Sequence, residues 1–381
     1  MKVTILQEQL ARGVATAARI VSHRAQMPIL SHVCLRAEES GLVMEATNLE
    51  IGIRQVLGAK VEVEGEITVP VRTLMDLVGN LSSGPVTLEA EGMKLTVSCG
   101  GARATVNGGS ASEFPSLPRL EDSGQLSMPA GELARIIEQV GFAAAIDESR
   151  PVLTGVLMKF SDKGIEFVGT DGFRLSQVIW SCKAGWKENR ELLVPAKSMA
   201  EVGRLLHEEV ETVHLSMVEN GNQVVFGFGS VDQYVAEVEV SSRLISGSYP
   251  DYKKIMPDAG ETVMRVGTSE LTRAVKLASV FARESANIIK LLITENQVTV
   301  SANAPQVGDN EAKIQAEVEG PGGGVAFNYR YVLDYLQVVG SDEVSLEMNG
   351  PLSPGLWKIS GKTKGAAEFK HVIMPMRLEE E

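Results

Sequence analysis

Catalytic chemistry leaves recognisable spacings in a sequence, and this 381-residue chain carries none of the common ones. No GxxxxGKS or GxxxxGKT phosphate loop occurs, no GxGxxG opens a helical pattern, and HExxH and GxSxG are absent. The histidines His23, His32, His207, His214 and His371 show no metal-ligand spacing. Cys34, Cys99 and Cys182 lack a CxxC pair and are odd in number, which argues against a disulfide framework and against a structural zinc site. Each sits among apolar neighbours and reads as a small buried hydrophobe. Carboxylates are plentiful, but no catalytic pair stands out by spacing. Gly227-Phe228-Gly229 falls inside an alternating strand pattern, and Gly322 to Gly324 after Pro321 read as a loop between a strand and a helix. The residues left for chemistry are therefore those that bind: cations spaced along helices, and apolar, methionine-rich segments. No cofactor and no metal are called for.

Those residues sit on elements that recur three times. Three amphipathic segments follow the helical period. The first is ILQEQLARGVATAARIV, with Leu6, Leu10, Val14, Ala17, Ala18 and Val21 on one face. The second is GELARIIEQVGFAAA, with Leu133, Ile136, Ile137, Val140 and Ala144. The third is SELTRAVKLASVFA, with Leu271, Ala274, Val275, Ala278 and Phe281. A second helix follows each, beginning at Pro70, Pro195 and Asn328, and the prolines suit a helix start. Between them lie period-two runs such as GLVMEAT, GIEFVGT and NQVTVSA, punctuated by Gly, Asn and Asp. The unit is a domain of about 125 residues, repeated. Its order of helix, strands, helix, strands predicts an α+β fold with two helices packed on antiparallel sheet. Pro- and Ser-rich segments at 114–125 and 248–261 divide the chain into domains 1–120, 126–251 and 258–378, with an acidic tail at 379–381.

The formal charge of −13 speaks against a polyanion as partner, unless it is unevenly spread. It is uneven. The helical segments hold Arg12, Arg19, Arg72, Arg135, Lys197, Arg204, Arg273, Lys276, Arg283 and Arg330 against Glu8, Asp76, Glu132, Glu138, Glu201, Glu270 and Asp334. The acidity is carried by strands and loops, so a shared helical side would be weakly basic. Such a surface suits loose contact with phosphates without base reading. At 5% aromatic residues, the composition argues against a base-stacking platform. No run of eighteen apolar residues occurs, and Gln7, Glu8 and Gln9 interrupt the N-terminus, so a cytoplasmic protein with no membrane partner is expected.

Several segments carry a family likeness: MKVTILQEQL at the start, MPIL at 27–30, Phe114-Pro115, TDGFRL at 170–175, SYPDY at 248–252, FNYRYVLDYL at 327–336 and VIMPMRL at 372–378. In this order, over nearly the whole chain, they resemble the bacterial DNA sliding clamp, the beta subunit of DNA polymerase III. The resemblance implies a processivity factor and not an enzyme. Three clamp-type domains would pair head to tail with those of a second copy into a six-domain homodimeric ring around duplex DNA. Spheres of ~18 Å radius in a hexagon leave a hole of roughly 36 Å, wide enough for a duplex. The implied partners are duplex DNA without sequence preference, the replicative DNA polymerase, the clamp loader and other proteins with a clamp-binding motif. On the residues alone, a three-repeat protein scaffold and an enzyme with an unrecognised polar cleft stay open, as does a specialised clamp paralogue.

The resemblance also implies site residues. Arg24, Arg72, Arg150 and Lys197 would touch the DNA backbone. A partner peptide would enter a pocket formed by Leu153, Thr170, Gly172, Phe173, Arg174 and Leu175, with Pro250 and Ile255. The pocket is completed by Asn328, Tyr331 and Leu352, and by the C-terminal Val372, Met374, Pro375, Met376, Arg377 and Leu378. Methionines suit such a site because they adapt to several ligands. Phe173 departs from the family pattern, which has His or another polar residue there, and makes the pocket more apolar. Ala104 and Val106 of one copy would meet Val280 and Phe281 of the other.

Overall fold

The computed structural model describes residues 1–21, 27–121, 126–181, 190–207, 209–218, 221–232, 235–257, 259–360 and 367–377. The chain forms two compact units, Met1–Ala134 with Glu201–Leu244, and Arg135–Ala200 with Ile245–Glu381. Among the described residues there are six α-helices: α1 (Gln7–Ile20), α2 (Val71–Gly79), α3 (Ala130–Gly141), α4 (Ala196–Leu205), α5 (Thr268–Ala282) and α6 (Tyr329–Val338). None is long and apolar enough to cross a membrane.

In the first unit an eight-stranded antiparallel sheet runs in the order Leu126–Pro129, Thr212–Met217, Gln223–Asp232, Val235–Arg243, Ile51–Leu57, Gly41–Thr47, His32–Glu38 and Gly65–Pro70. Strands of the first and second repeats meet in its middle, where Val240 pairs with Ile53. The sheet is therefore continuous across a repeat boundary, which is why the compact units cut across the repeats. A five-stranded sheet completes the unit and ends on the open edge of Ala102–Asn107. The second unit repeats the plan. Its nine-stranded sheet joins Arg174–Ser181 to Ala367–Ile373, with Leu175 opposite Val372, and its four-stranded sheet ends on Gly308–Gln315.

Helices bury the predicted stripes with local shifts. On α1 the buried residues are Gln9, Leu10, Gly13, Val14, Ala17 and Ile20. Burying Leu10 or Val14 fully is worth about 1.5–3 kcal/mol each. Leu6 is not on that face. It closes the preceding strand and points outward, because the helix begins only at Gln7. Gly13 is needed for close approach, since a Cβ there would lie 2.7 Å from Leu57 Cδ1. Pro70 and Pro195 end strands, one residue before α2 and α4 begin. Their fixed φ and missing N–H serve the strand-to-helix corner instead of the first helical turn. Gly323 and Gly324 open the strand Gly323–Asn328, where a loop was expected.

The Pro-rich segment after Phe114 is an ordered strap over the eight-stranded sheet. A Cβ on Gly52 would lie 2.6 Å from Leu117, and one on Gly227 would lie 2.8 Å from Leu120. Leu120 N–H donates to Glu239 Oε1 at 3.0 Å, and Arg119 pairs with Glu239 at 2.8 Å. The glycine-flanked Phe228 strand thus has its use: Gly227 lets the strap lie flat.

Candidate partner-binding site

The segment Thr170 to Arg174 forms a hydrogen-bonded turn at the end of the strand Gly164–Thr170. Thr170 Oγ1 donates to the Arg174 carbonyl at 2.6 Å and accepts the Gly172 N–H at 3.1 Å. Asp171 Oδ1 accepts the N–H groups of Phe173 and Arg174 at 2.9 and 3.0 Å. Gly172 has φ +92°, a conformation that side chains resist. The turn throws Phe173 outward, 62% exposed, and Arg174 inward, with its side chain 10% exposed.

Each of the three Arg174 guanidinium nitrogens then has a partner within the protein. Its Nε pairs with Asp171 Oδ2 at 3.0 Å, Nη1 with Asp334 Oδ2 at 2.5 Å, and Nη2 donates to the Phe142 carbonyl at 2.8 Å. The guanidinium lies 4.5 Å from the Tyr331 ring centre and 5.2 Å from that of Phe142. It ties the end of α3 to α6 and fixes Tyr331, so it acts as a strut beneath the cavity. His371 lies buried nearby, with Nδ1 2.8 Å from Ser176 Oγ and its ring stacked on Tyr335. Burial, helped by the Arg174 charge, pushes its pKa down to about 3.

Beside the strut is a cavity of about 350 Å³ lined by Ala145, Ile146, Asp147, Ser149, Arg150, Leu153, Asp171, Phe173 and Tyr331. Ile146 is 89% exposed, an unusual setting for a large apolar side chain. Asp147 holds the loop by accepting from Ser149 N–H at 2.9 Å and from its hydroxyl at 2.7 Å. These bonds, the backbone one first, keep its carboxyl below the usual range. Tyr331 is shifted upward, chiefly by burial and then by Asp171. Exposed apolar surface, a tyrosine and one arginine together favour a short apolar peptide, and nothing here resembles a nucleophile with its base.

The expected pocket residues fall into three groups. Leu153, Phe173 and Tyr331 line the cavity. Leu175 and Val372 are buried in a core cluster with Leu157, Val168, Leu193, Tyr252 and Leu356, so they are floor and offer no surface. Thr170, Gly172 and Arg174 shape the turn. Ile255, Leu352 and Pro250 are exposed, Asn328 caps α6 by accepting from Arg330 N–H, and Met374, Pro375 and Met376 are half-buried. The tail is held by its backbone, Met374 N–H to the Phe173 carbonyl and Met376 N–H to that of Ala326. Arg377 is exposed, and Leu378 lies outside the described residues. Sequence reasoning missed Ile146, Asp147, Ser149 and Asp171 at the cavity and Asp334 beneath it. The Asp-x-Ser spacing at 147–149, a turn signature, was the available signal.

The expected DNA contacts separate as well. Arg72 is exposed near the start of α2. Lys197 is exposed and pairs with Glu148 at 3.1 Å. Arg150 lines the cavity above. Arg24 lies outside the described residues. At the expected interface, Val280 is 51% exposed, and the neighbouring Leu277, which was not anticipated, is 50% exposed. Phe281 is half-buried and not the core residue its helical period suggests. Ala104 is half-buried, whereas Val106 is buried within its own unit and has little surface to offer. Cys34 and Cys99 are buried, and burial raises the Cys34 thiol to about 12; Cys182 lies outside the described residues.

Three family models match in order: the N-terminal domain of the DNA polymerase III beta subunit at residues 1–118, its central domain at 127–251 and its C-terminal domain at 253–377. A beta sliding clamp of Synechocystis is 29% identical over 400 residues, covering 99% of this chain and 100% of that protein. Among solved structures, a DNA polymerase sliding clamp from Bacillus subtilis matches with a TM-score of 0.90 at 27% identity, covering 100% of both chains. A sliding clamp from Pseudomonas aeruginosa bound to griselimycin matches with a TM-score of 0.90 at 28% identity, covering 99% of this chain and 100% of that one.

Proposed function

The chain belongs to the DNA polymerase III beta subunit family, and from that membership and the geometry above we infer that it is a DNA sliding clamp, a processivity factor and not an enzyme. Two copies join head to tail, and their six repeats close around duplex DNA. The open edges Ala102–Asn107 and Gly308–Gln315 supply unpaired backbone groups for such a junction, and α5 supplies Leu277 and Val280 beside it. A closed ring confines the duplex by topology, so it needs little affinity for phosphates, and a weakly basic helical lining is enough. Its place of work is wherever the bacterial chromosome is, the cytoplasm.

The replicative polymerase, the loader and other DNA-handling proteins are held through the cavity beside Arg174. The observation that carries this is the strut: three satisfied donors lock Tyr331 and the Phe173 turn in place, leaving apolar surface open to a ligand. Such preorganisation lowers the ordering cost of binding a peptide. Griselimycin, which the Pseudomonas aeruginosa clamp binds, is the probe with which to test this cavity. The decisive experiment loads the protein onto nicked circular DNA and isolates the complex. Retention on the circle with release after linearisation supports the clamp, and a protein that is never retained contradicts it.

A further inference from the structure

The first unit holds a larger cavity, of about 940 Å³, that shares no residue with the partner-binding site or with the four expected DNA contacts. Arg12 and Arg19 line it from α1, Arg204 from the end of α4, and Val235 and Val238 give it an apolar floor. Arg12 and Arg19 are two helical turns apart, ~10.5 Å along one face.

At the rim, a single carboxylate is held between two guanidiniums. Arg19 Nε donates to Glu201 Oε2 at 3.2 Å, and Arg204 Nη1 donates to the other oxygen, Oε1. The Glu201 side chain is 17% exposed, so the acid sits deeper than either base. Two arginines spaced to share one small oxyanion are also spaced to share a phosphate, which presents the same geometry with more charge.

We propose that this cleft seats a phosphodiester group of duplex DNA, and that Glu201 is a built-in competitor that occupies the seat and keeps the grip weak. The proposal rests on the clamp reading. A ring that slides must break each phosphate contact at every step, so a strong contact slows it. With Glu201 in place, Arg19 and Arg204 are both already engaged by a carboxylate, so the cleft is only weakly attractive. When a phosphate arrives, Glu201 yields its two partners and swings outward. When the phosphate leaves, the carboxylate returns, so neither state leaves the arginines bare. A purely structural triad joining α1 to α4 makes the opposite prediction, because removing its charge weakens the fold and gains nothing on DNA.

The test measures binding of unloaded protein to a short linear duplex by fluorescence anisotropy across a salt series. Glu201→Gln is expected to bind about threefold to tenfold tighter at about 50 mM salt, with a log–log salt slope steeper by about one. Arg19→Gln or Arg204→Gln placed in the Glu201→Gln background is expected to remove the gain. Affinity that is unchanged or weaker in a folded Glu201→Gln overturns the proposal. Should that variant not fold, Arg19→Gln with Arg204→Gln, Glu201 retained, must bind at least threefold more weakly, and an unchanged affinity overturns it. Retention of wild type on nicked circular DNA is measured alongside. Its loss removes the clamp reading itself, whereas retention with a flat Glu201→Gln response removes only this proposal.

Discussion

Replacing Arg174 by alanine tests the strut directly. The change removes the Asp171 pair, the Asp334 pair, the bond to the Phe142 carbonyl and two ring contacts. The Asp334 side chain is 40% exposed, so that pair is screened and counts for at most about 1 kcal/mol. Asp171 is 17% exposed, and its bond and the carbonyl bond are charge-assisted in a shielded setting, about 1.5 kcal/mol each. The ring contacts add about 0.5 kcal/mol apiece. The loss totals about 4–5 kcal/mol, in line with breaking a shielded ion pair, about 3–5 kcal/mol. Urea denaturation followed by circular dichroism measures it. Griselimycin titration by calorimetry, under conditions where the variant is folded, measures the site, and binding at least tenfold weaker is expected because Tyr331 and Phe173 lose their support. Arg174→Lys retains the charge but cannot reach all three acceptors, so it should recover less than half of the stability. A variant within about 0.5 kcal/mol of wild type that still binds griselimycin normally would refute the strut.

Three further outcomes follow from the same geometry. Gly172→Ala forces a Cβ onto a φ of +92°, and should cost about 1–2 kcal/mol and weaken griselimycin binding; an unchanged melting curve would show that the turn relaxes freely. Val280→Asp places a charge on exposed apolar surface of α5, and should leave a folded monomer in sedimentation, where an intact dimer would contradict the head-to-tail reading. His371 is neutral in the fold, with a pKa near 3 against 6.5 for the free group, so the unfolded chain takes up its proton first. Its contribution is therefore complete above pH 6.5 and is lost as pH falls towards 3, by up to about 1.4 kcal/mol per unit. His371→Asn should flatten the stability profile between pH 6.5 and 5, and a profile parallel to wild type would show that other groups set it.

Much of this architecture was legible as pattern. The stripes of α3 and α5, the strands Gly41–Thr47 and Gly164–Thr170 and the cap at Asn328 follow from period and side-chain chemistry that act over a few residues. What stayed hidden depends on partners far along the chain. That Arg174 braces the turn shows only when Asp334, 160 residues away, is brought to it. Leu175 and Val372 come as site residues from the resemblance alone, and only their pairing across the sheet shows that they lie in the core beneath the turn. Leu117 and Leu120 lie in a stretch that composition marks as loop, and only Gly52 and Gly227 across the sheet explain why they lie ordered on it.

The turn at Thr170 has a twin. Thr47 Oγ1 donates to the Ile51 carbonyl at 2.9 Å and accepts the Leu49 N–H at 3.0 Å, while Asn48 Oδ1 accepts from Glu50 and Ile51. The backbone scheme is the same, with Leu49 at φ +75° where the later copy has glycine. In this earlier copy the arginine is replaced by Ile51, and the strap's own Leu117 rests against Gly52 next to it. Triplication handed the chain the same foundation more than once, but only one plot was left unbuilt for visitors. On the proposed reading only the later of these two turns is open to a partner, so proteins that dock there take turns on any one subunit.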